Sequence, residues 1–182
     1  MINLKKDQID QALTRVEDGL KKYSALQGDF QNVDVFNNRD FQRRFNHFYR
    51  VRRNSEWQSQ FYRLLEDKKK CGISFSEALR YIHEHTGRYE ASFASKLVAT
   101  IHPDKAVVDK FVLENADLKL PYTSAKNREA KIISVYNQLQ DKFTVFLSTE
   151  SGKYLINKFR EKYSNVDITE MKMADLVLWQ SR

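Results

Sequence analysis

Cysteine, proline and glycine are all scarce in this chain. Its 182 residues include one cysteine, two prolines and five glycines. The single Cys71 excludes an intrachain disulfide framework and a cysteine-rich zinc site. So little glycine and proline argues against a turn-rich β-sandwich and against a disordered chain.

Long apolar runs are also missing. No run approaches the roughly 18 apolar residues of a membrane-spanning helix. Residues 1–11 lack the apolar centre of a secretory signal. We therefore expect a cytoplasmic protein, and we expect no membrane among its partners.

Motifs for metals and cofactors are absent as well. His83 and His85 are two positions apart, so on a helix their side chains diverge by roughly 200° and cannot share one metal ion. The chain has no phosphate loop and no nucleophile elbow. We predict that it binds no metal and no cofactor.

Helical periodicity dominates the remaining sequence. The hydrophobic fraction is 41% and includes 12 Phe and 9 Tyr, which is enough for a sizeable core. The pattern predicts an all-α protein, a compact single domain over residues 1–182 with seven to nine helices. An N-terminal helix within residues 1–30 is the part most able to pack separately.

The first predicted helix, from Leu4 to Leu26, has a narrow apolar stripe. Its members recur at alternating spacings of three and four residues, and charged residues fill the other faces. They are Ile9, Leu13, Val16, Leu20 and Tyr23. Such a stripe packs against a neighbouring helix or against a second copy of the chain.

The second predicted helix, over residues 37–53, has the most lopsided charge in the chain. Phe41, Phe45 and Phe48 share its apolar face, and Asp40 is the one acid among six arginines. With a net charge of +7 for the whole chain, these arginines favour an anionic partner such as DNA. The alternative is that they pair with acids from other helices and lie over the core.

Capping residues predict where several other helices begin. The candidate caps are Ser55 with Gln58, Ser74 with Glu77, Ser124, and Thr169. The apolar run FTVFL at 143–147 fits a strand or a helix, and we assign it to a helix because no partner strand is evident.

The stretch from Gly87 to Leu113 carries the functional hypothesis. A short alanine-rich helix leads to a turn at Pro103, then to an apolar pair at 107–108, then to Asp109. Asp109 can cap a short helix over residues 110–115. It can instead be a catalytic carboxylate that lies between an apolar surface and a basic surface.

The segment ASFASKLVATIHPDKAVVDKFVL resembles helix–hairpin–helix DNA glycosylases between their hairpin and their catalytic aspartate. In that family a glycine-rich hairpin, an alanine-rich helix, a turn, an apolar pair and an aspartate follow in order. The matching parts here are Gly87, residues 91–101, Pro103, residues 107–108 and Asp109. The whole chain is also similar to bacterial proteins of no assigned activity that share the phrases FYRVRR, SFASKL and a final LWQ.

The resemblance implies a DNA-binding protein, either a monofunctional base-excision enzyme or an inactive relative. In the active form Asp109 is the catalytic residue, because a carboxylate steadies the positive charge that grows on the sugar. Tyr49 and Tyr89 are candidates for stacking on an extruded base. The candidate nucleic-acid-binding residues are Arg43, Arg44, Arg50, Arg52, Arg53, Arg88 and Lys96.

A non-enzymatic interaction protein is the alternative function. Its basic face would bind an acidic protein, or the apolar stripe of the N-terminal helix would form a homodimer. Both alternatives leave the all-α prediction unchanged.

Overall fold

A computed structural model describes residues 2–181, which form ten helices and no strand. The all-α prediction is confirmed, whereas the predicted number of helices was too low. In chain order the helices are α1 (Lys6–Leu13), α2 (Glu17–Phe30), α3 (Arg39–Tyr49), α4 (Ser55–Lys68), α5 (Phe75–Thr86), α6 (Ala91–Ile101), α7 (Lys110–Asn115), α8 (Arg128–Ser148), α9 (Glu150–Lys162) and α10 (Glu170–Gln180). None of these helices is long and apolar enough to cross a membrane.

The contacts of the chain cluster into two compact units. Unit 1 comprises Met1–Glu17 and Pro103–Arg182, and unit 2 comprises Asp18–His102. Unit 1 therefore contains α1 and α7 to α10, and unit 2 contains α2, from its second residue on, to α6. The N-terminal segment is thus divided between the two units.

Helix α10 occupies the centre of unit 1 and packs against α1, α7, α8 and α9. Every residue from Met171 to Leu178 is buried, so the helix has no solvent-facing side over two turns. Lys172 and Asp175 are the charged residues of this span, and they form an ion pair at 2.6 Å. Charges in such a position need a partner of opposite sign.

The first predicted helix is broken into two. α1 ends at Leu13 and α2 begins at Glu17. The N–H and the hydroxyl of Thr14 both donate to the carbonyl oxygen of Gln11, a tight local arrangement that ends the α-helical pattern. All five residues of the predicted stripe are buried, so the stripe leaves no surface for a second copy of the chain.

The second predicted helix is shorter than expected. It ends where Arg50 adopts a left-handed φ of 54°. The N–H of Val51 donates to the carbonyl oxygen of Asn46 at 2.9 Å, and the Val51 side chain is buried, as in a Schellman motif. Residues 50–53 therefore lie in the connection to α4 and do not share a helix face with Arg43.

Several of the predicted helix starts are confirmed. Ser74 and Glu77 form the expected capping box at the start of α5. Asp109 caps α7, and Thr169 caps α10. The apolar run at 143–147 lies inside α8, as its assignment to a helix predicted.

Two predicted caps were wrong, one by one residue and the other by three. Ser55 is not the cap of α4, because the side chain of Asn54 accepts the hydrogen bond from the N–H of Trp57. Ser124 does not cap α8, which begins after Asn127. Asn127 has a left-handed φ of 53°, which separates the preceding turns from the helix.

Aromatic side chains form the core of unit 2. The ring of Phe45 lies between 4.6 and 5.9 Å from the rings of Phe41, Tyr49, Phe61 and Tyr62. These contacts join α3 to α4. Burial raises the pKa of Tyr62, so its hydroxyl stays protonated and remains a hydrogen-bond donor.

Candidate nucleic-acid interface

The positive charge of the chain is concentrated in unit 2. Residues 18–102 contain 15 Lys and Arg against 10 Asp and Glu, a net charge of +5, and all four histidines. The two segments of unit 1 contain 16 against 14, a net charge of +2. Every predicted nucleic-acid-binding residue and both predicted stacking tyrosines lie in unit 2, whereas Asp109 lies in unit 1.

Two connections of unit 2 border a pocket of about 410 Å³. One connection joins α3 to α4, and the other joins α5 to α6. The lining residues include Arg52, Arg53, Trp57, His85, Arg88 and Glu90. We call this site the arginine pocket, because it brings together three of the predicted arginines from distant parts of the sequence.

Short local signals position the two connections. The side chain of Asn54 accepts a hydrogen bond from the N–H of Trp57 at 2.9 Å and so starts α4 directly after the arginines. Gly87 ends α5 with a left-handed φ of 70°, a conformation that glycine adopts without strain. Arg88 therefore stands just outside the helix.

Arg53 is already engaged within the arginine pocket. Its Nη2 donates to both carboxylate oxygens of Glu90, at 2.9 and 3.0 Å, and its Nε donates to Oε1 at 3.1 Å. The guanidinium also lies over the ring of Phe93, with 5.1 Å to the ring centroid. This contact ties the two connections together and neutralises Glu90.

The side chains of Arg52 and Arg88 are exposed and have no acid partner. Neither side chain forms an ion pair with an acid among residues 2–181. A guanidinium without an acid partner keeps its planar set of donors available for a phosphate group. These two arginines therefore supply the free positive charge of the pocket.

Trp57 also lines the arginine pocket, although most of its side chain lies in the core. The side chain is 7% exposed, and its ring stacks on Phe61 at 5.3 Å and packs against Phe93 at 4.8 Å. Among the described residues, Nε1–H has no hydrogen-bond partner. The Nε1 atom is fully buried, so the indole N–H is not exposed to the pocket, and a buried donor without an acceptor costs about 1–3 kcal/mol.

Arg43 and Arg44 lie at a different place, in a groove of about 510 Å³ that residues of α2 and α3 line. Arg44 bonds to Asp29 at 2.6 Å and to Asp40 at 2.8 Å, and Arg43 bonds to Asp40 at 2.7 Å. The hydrogen bond that Arg44 donates to Asp29 raises the pKa of Arg44, and the hydrogen bond that Arg43 donates to Asp40 lowers the pKa of Asp40. Arg44 thus pairs with an acid of another helix, as the alternative interpretation expected, whereas Arg43 pairs with Asp40 of its own helix.

The other predicted residues lie near the end of α3 and the start of α6. Nζ of Lys96 donates to the carbonyl oxygen of Tyr49 at 3.1 Å, next to the exposed Arg50. Tyr49 is 7% exposed, so stacking on a base would require its ring to leave the core. Tyr89 is half-buried and lies parallel to the ring of His83 at 3.8 Å.

Asp109 is the cap of the six-residue helix α7. Its Oδ1 accepts a hydrogen bond from the N–H of Phe111 at 3.0 Å, and the residue is half-buried. The capping interpretation is therefore confirmed. A catalytic role for Asp109 stays a prediction.

Six of the nine residues that line the arginine pocket were not predicted as site residues, Trp57 and Glu90 among them. The periodicity of the sequence identified Trp57 only as part of the buried side of its helix, and Glu90 carried no signal. The position of Trp57 directly beyond the basic run at 50–53 is the feature that could have marked it. The pairing of Glu90 depends on the fold, because its partner is distant in the sequence.

Known proteins add no further guidance, since no family model, no curated protein and no solved structure matches this chain. Within residues 2–181, no three His, Cys, Asp or Glu side chains are placed to hold a metal ion. The binding chemistry of the chain is therefore inferred from the arginine pocket and from the charge of unit 2.

Proposed function

We propose that the chain binds DNA through the arginine pocket and the basic surface of unit 2. The observation that carries the proposal is the meeting of Arg52, Arg53 and Arg88 at one pocket, with two guanidinium groups free of acids. Phosphate groups are the anions that such planar, multiple donors bind best. The partner is therefore a phosphate backbone.

The charge distribution supports the same partner. Unit 2 carries a net charge of +5, against +2 for unit 1. A surface with this surplus attracts a polyanion, and each phosphate that it neutralises releases counterions. Binding of this kind weakens with added salt, which distinguishes it from apolar docking.

The hairpin of α5 and α6 supports DNA over other phosphate-bearing polymers. The two helices pack against each other, and only residues 87–90 connect them. This is the part of the chain that resembles the DNA-contacting hairpin of the helix–hairpin–helix glycosylases. In the proposal, Arg88 at the tip of this hairpin contacts the backbone of the duplex.

The proposal assigns no chemistry to Asp109 and takes the inactive form of the glycosylase resemblance. The carboxylate already holds the first turn of α7. We expect no release of damaged bases from a panel of lesion-containing duplexes. Base release that Asp109→Asn abolishes, with DNA binding unchanged, would instead establish the enzymatic form.

Fluorescence anisotropy of a labelled duplex tests the binding. With about three phosphate contacts, raising the salt concentration from about 50 to about 200 mM should weaken the affinity about 40-fold. Absence of salt-dependent binding at micromolar protein would overturn the proposal.

Matched variants locate the interface. Arg52→Gln with Arg88→Gln should weaken binding by roughly tenfold or more and lower the salt slope by about two. The control is Lys119→Gln with Lys126→Gln, which removes the same charge from two exposed positions of unit 1. Equal losses for the two double variants would show that net charge acts without a defined site.

A further inference from the structure

The groove between α2 and α3 shares no lining residue with the arginine pocket. It has a volume of about 510 Å³, and most of the surface that lines it is apolar. Ala25 and Leu26 supply the apolar side chains, while Lys22, Arg43 and His47 are among the basic ones. None of the described residues that line it is an acid. We call this site the α2–α3 groove, and its lining suits a ligand that is both apolar and anionic.

The two helices that form the α2–α3 groove are antiparallel. The ring centroids of Phe30 and Phe41 are 6.3 Å apart. Those of Tyr23 and Phe48 are 6.1 Å apart, so residue numbers rise along α2 as they fall along α3. Ala25 lies between these two contacts in the sequence and is exposed, and its small side chain leaves a gap that a larger one would fill. A gap between two adjacent helices is a place where a third helix can pack.

The basic side chains of the α2–α3 groove keep donors available. Arg43 donates to Asp40 through Nη2, and its other N–H groups have no partner among residues 2–181. The ring of His47 has no hydrogen-bond partner in the same part of the chain. The ion pair of Lys22 with Asp18 is exposed to solvent, and such pairs contribute little to stability. An incoming carboxylate can therefore bind here without disrupting the fold.

The combination of apolar and basic side chains favours a protein segment as the ligand. A phosphate backbone would engage the cations but would leave the apolar part of the groove without a partner. A membrane surface binds apolar side chains that protrude, and the large ones exposed among residues 2–181 lie in unit 1, as Leu120, Tyr122 and Val145. An amphipathic helix with acids beside its apolar side chains complements both parts of the groove.

The length of the α2–α3 groove limits the size of the contact. Its lining on α2 extends from Lys21 to Leu26, which is about 7.5 Å along the helix axis. This length accommodates two apolar side chains one helical turn apart, since their Cβ atoms are about 5–6 Å apart. So small a contact is typical of a weak and transient complex, and we expect a dissociation constant in the micromolar range.

We propose that the α2–α3 groove binds an acidic amphipathic helix of a partner protein. Two apolar side chains of that helix pack against Ala25 and Leu26, and its carboxylates bind the basic side chains of the groove, Arg43 among them. This inference does not depend on the proposed function, because the groove and the arginine pocket have separate linings. The chain would then be able to hold a protein and a nucleic acid at the same time.

Fluorescence anisotropy with three labelled peptides tests the chemistry of the partner. The parent peptide is an alanine-based helix of about 15 residues with two leucines one turn apart and glutamates beside them. One comparison peptide has serine in place of both leucines, and the other has glutamine in place of the glutamates. The parent should bind at least about tenfold more tightly than the leucine-free peptide and at least about threefold more tightly than the glutamine peptide.

Variants of the protein locate the binding site. Ala25→Glu places a carboxylate in the groove, where it repels the acidic peptide, and should weaken binding at least about tenfold. The matched control is Ala130→Glu, at an exposed position of α8 in unit 1, which should keep the affinity within about twofold. A circular dichroism melt of each variant confirms that the loss is not a loss of folding.

Arg43→Gln tests the pairing of charges. It should weaken the parent peptide about threefold and leave the affinity for the glutamine peptide unchanged, because the lost contact needs a carboxylate on the ligand. An equal loss for both peptides overturns the pairing of this arginine with an acid of the partner.

The remaining outcomes separate this inference from the proposed function. Absence of parent-peptide binding at about 100 µM protein overturns the groove as a docking site and leaves DNA binding untouched. Equal affinity for the leucine-free peptide shows that charge alone acts, and it overturns the apolar contact. Equal losses in Ala25→Glu and Ala130→Glu overturn the location. Binding of phosphatidylserine vesicles or of a DNA duplex that Ala25→Glu weakens tenfold, without binding of the parent peptide, overturns the assignment to a protein.

Discussion

Unit 1 and unit 2 both bury aromatic rings and a paired lysine, but a different feature stands at the centre of each. At the centre of unit 1 stands α10, which is buried on all sides over residues 171–178 and contains an ion pair. At the centre of unit 2 stands a cluster of aromatic rings around Phe45. Aromatic rings stabilise the fold by burying apolar area and carry no charge that needs a partner. A buried ion pair destabilises the fold when one of its two partners is removed.

The two units also differ in the charge they present. Unit 1 is nearly balanced, and unit 2 holds most of the surplus of the chain together with every histidine. The comparison teaches that a net charge averaged over a chain hides where an anion would bind. In unit 2 the surplus charge can bind an anion where a guanidinium group has no acid as its partner, as at Arg52 and Arg88.

The largest expected effect is in unit 1. Asp175→Ala removes the carboxylate that lies 2.6 Å from Nζ of Lys172 and leaves a buried ammonium behind, at a cost of about 3–5 kcal/mol. Urea unfolding measures this loss in the free energy of unfolding. In a Trp57→Phe background Trp179 is the one tryptophan left and reports on unit 1, and in a Trp179→Phe background Trp57 reports on unit 2.

The double variant Lys172→Met with Asp175→Leu is the control, because it removes both charges. It should recover most of the lost stability. If Asp175→Ala shifts the Trp57 transition as far as the Trp179 transition, the contrast between the units does not extend to their unfolding.

A smaller loss is expected at Gly152 in the first turn of α9. A Cβ there would lie 2.1 Å from the carbonyl oxygen of Phe146 and 2.8 Å from Cα of Leu147. Both are backbone atoms, which cannot move aside as a flexible side chain would. Gly152→Ala should destabilise unit 1 by about 1–3 kcal/mol, as measured by urea unfolding.

Gly28 in α2 of unit 2 provides the matched control. A Cβ at this position has nothing within 4 Å, and the residue is helical. Gly28→Ala should therefore stabilise the chain by about 0.4–1 kcal/mol. A destabilising Gly28→Ala, or a neutral Gly152→Ala, would contradict the packing described here.

The smallest effect concerns the capping box of α5 and depends on pH. Hydrogen bonds from the side chain and the N–H of Ser74 lower the pKa of Glu77 below its ordinary value of 4.5. A lowered pKa contributes stability above pH 4.5, and this contribution is lost as the pH falls through the folded value. Ser74→Ala should cost about 1 kcal/mol at pH 7.

The difference in unfolding free energy between wild type and Ser74→Ala should shrink as the pH falls below 4.5. Other carboxylates titrate in the same range, but they do so in both proteins and cancel in the difference. A gap that stays constant down to pH 2.5 (roughly the point at which an unperturbed carboxylate is fully protonated) would disprove the contribution of Glu77.

Local patterns predicted much of this fold. The spacing of apolar residues identified the helices, and the short side chains of Ser74, Asp109 and Thr169 marked three of their starts. These features depend on neighbours within about one helical turn, so the sequence contains the whole signal. The ends of helices were harder to predict, since the end of α3 at Arg50 depends on the burial of Val51.

The sequence by itself determined that the chain is helical, that it is basic and that arginines cluster around residues 43–53. Only the tertiary structure decided which of these arginines keep their charge free. Arg43 and Arg44 pair with acids, while Arg52 and Arg88 line one pocket without an acid partner. The reason is physical: an ion pair or a pocket depends on distances between segments far apart in the chain, which no local pattern records.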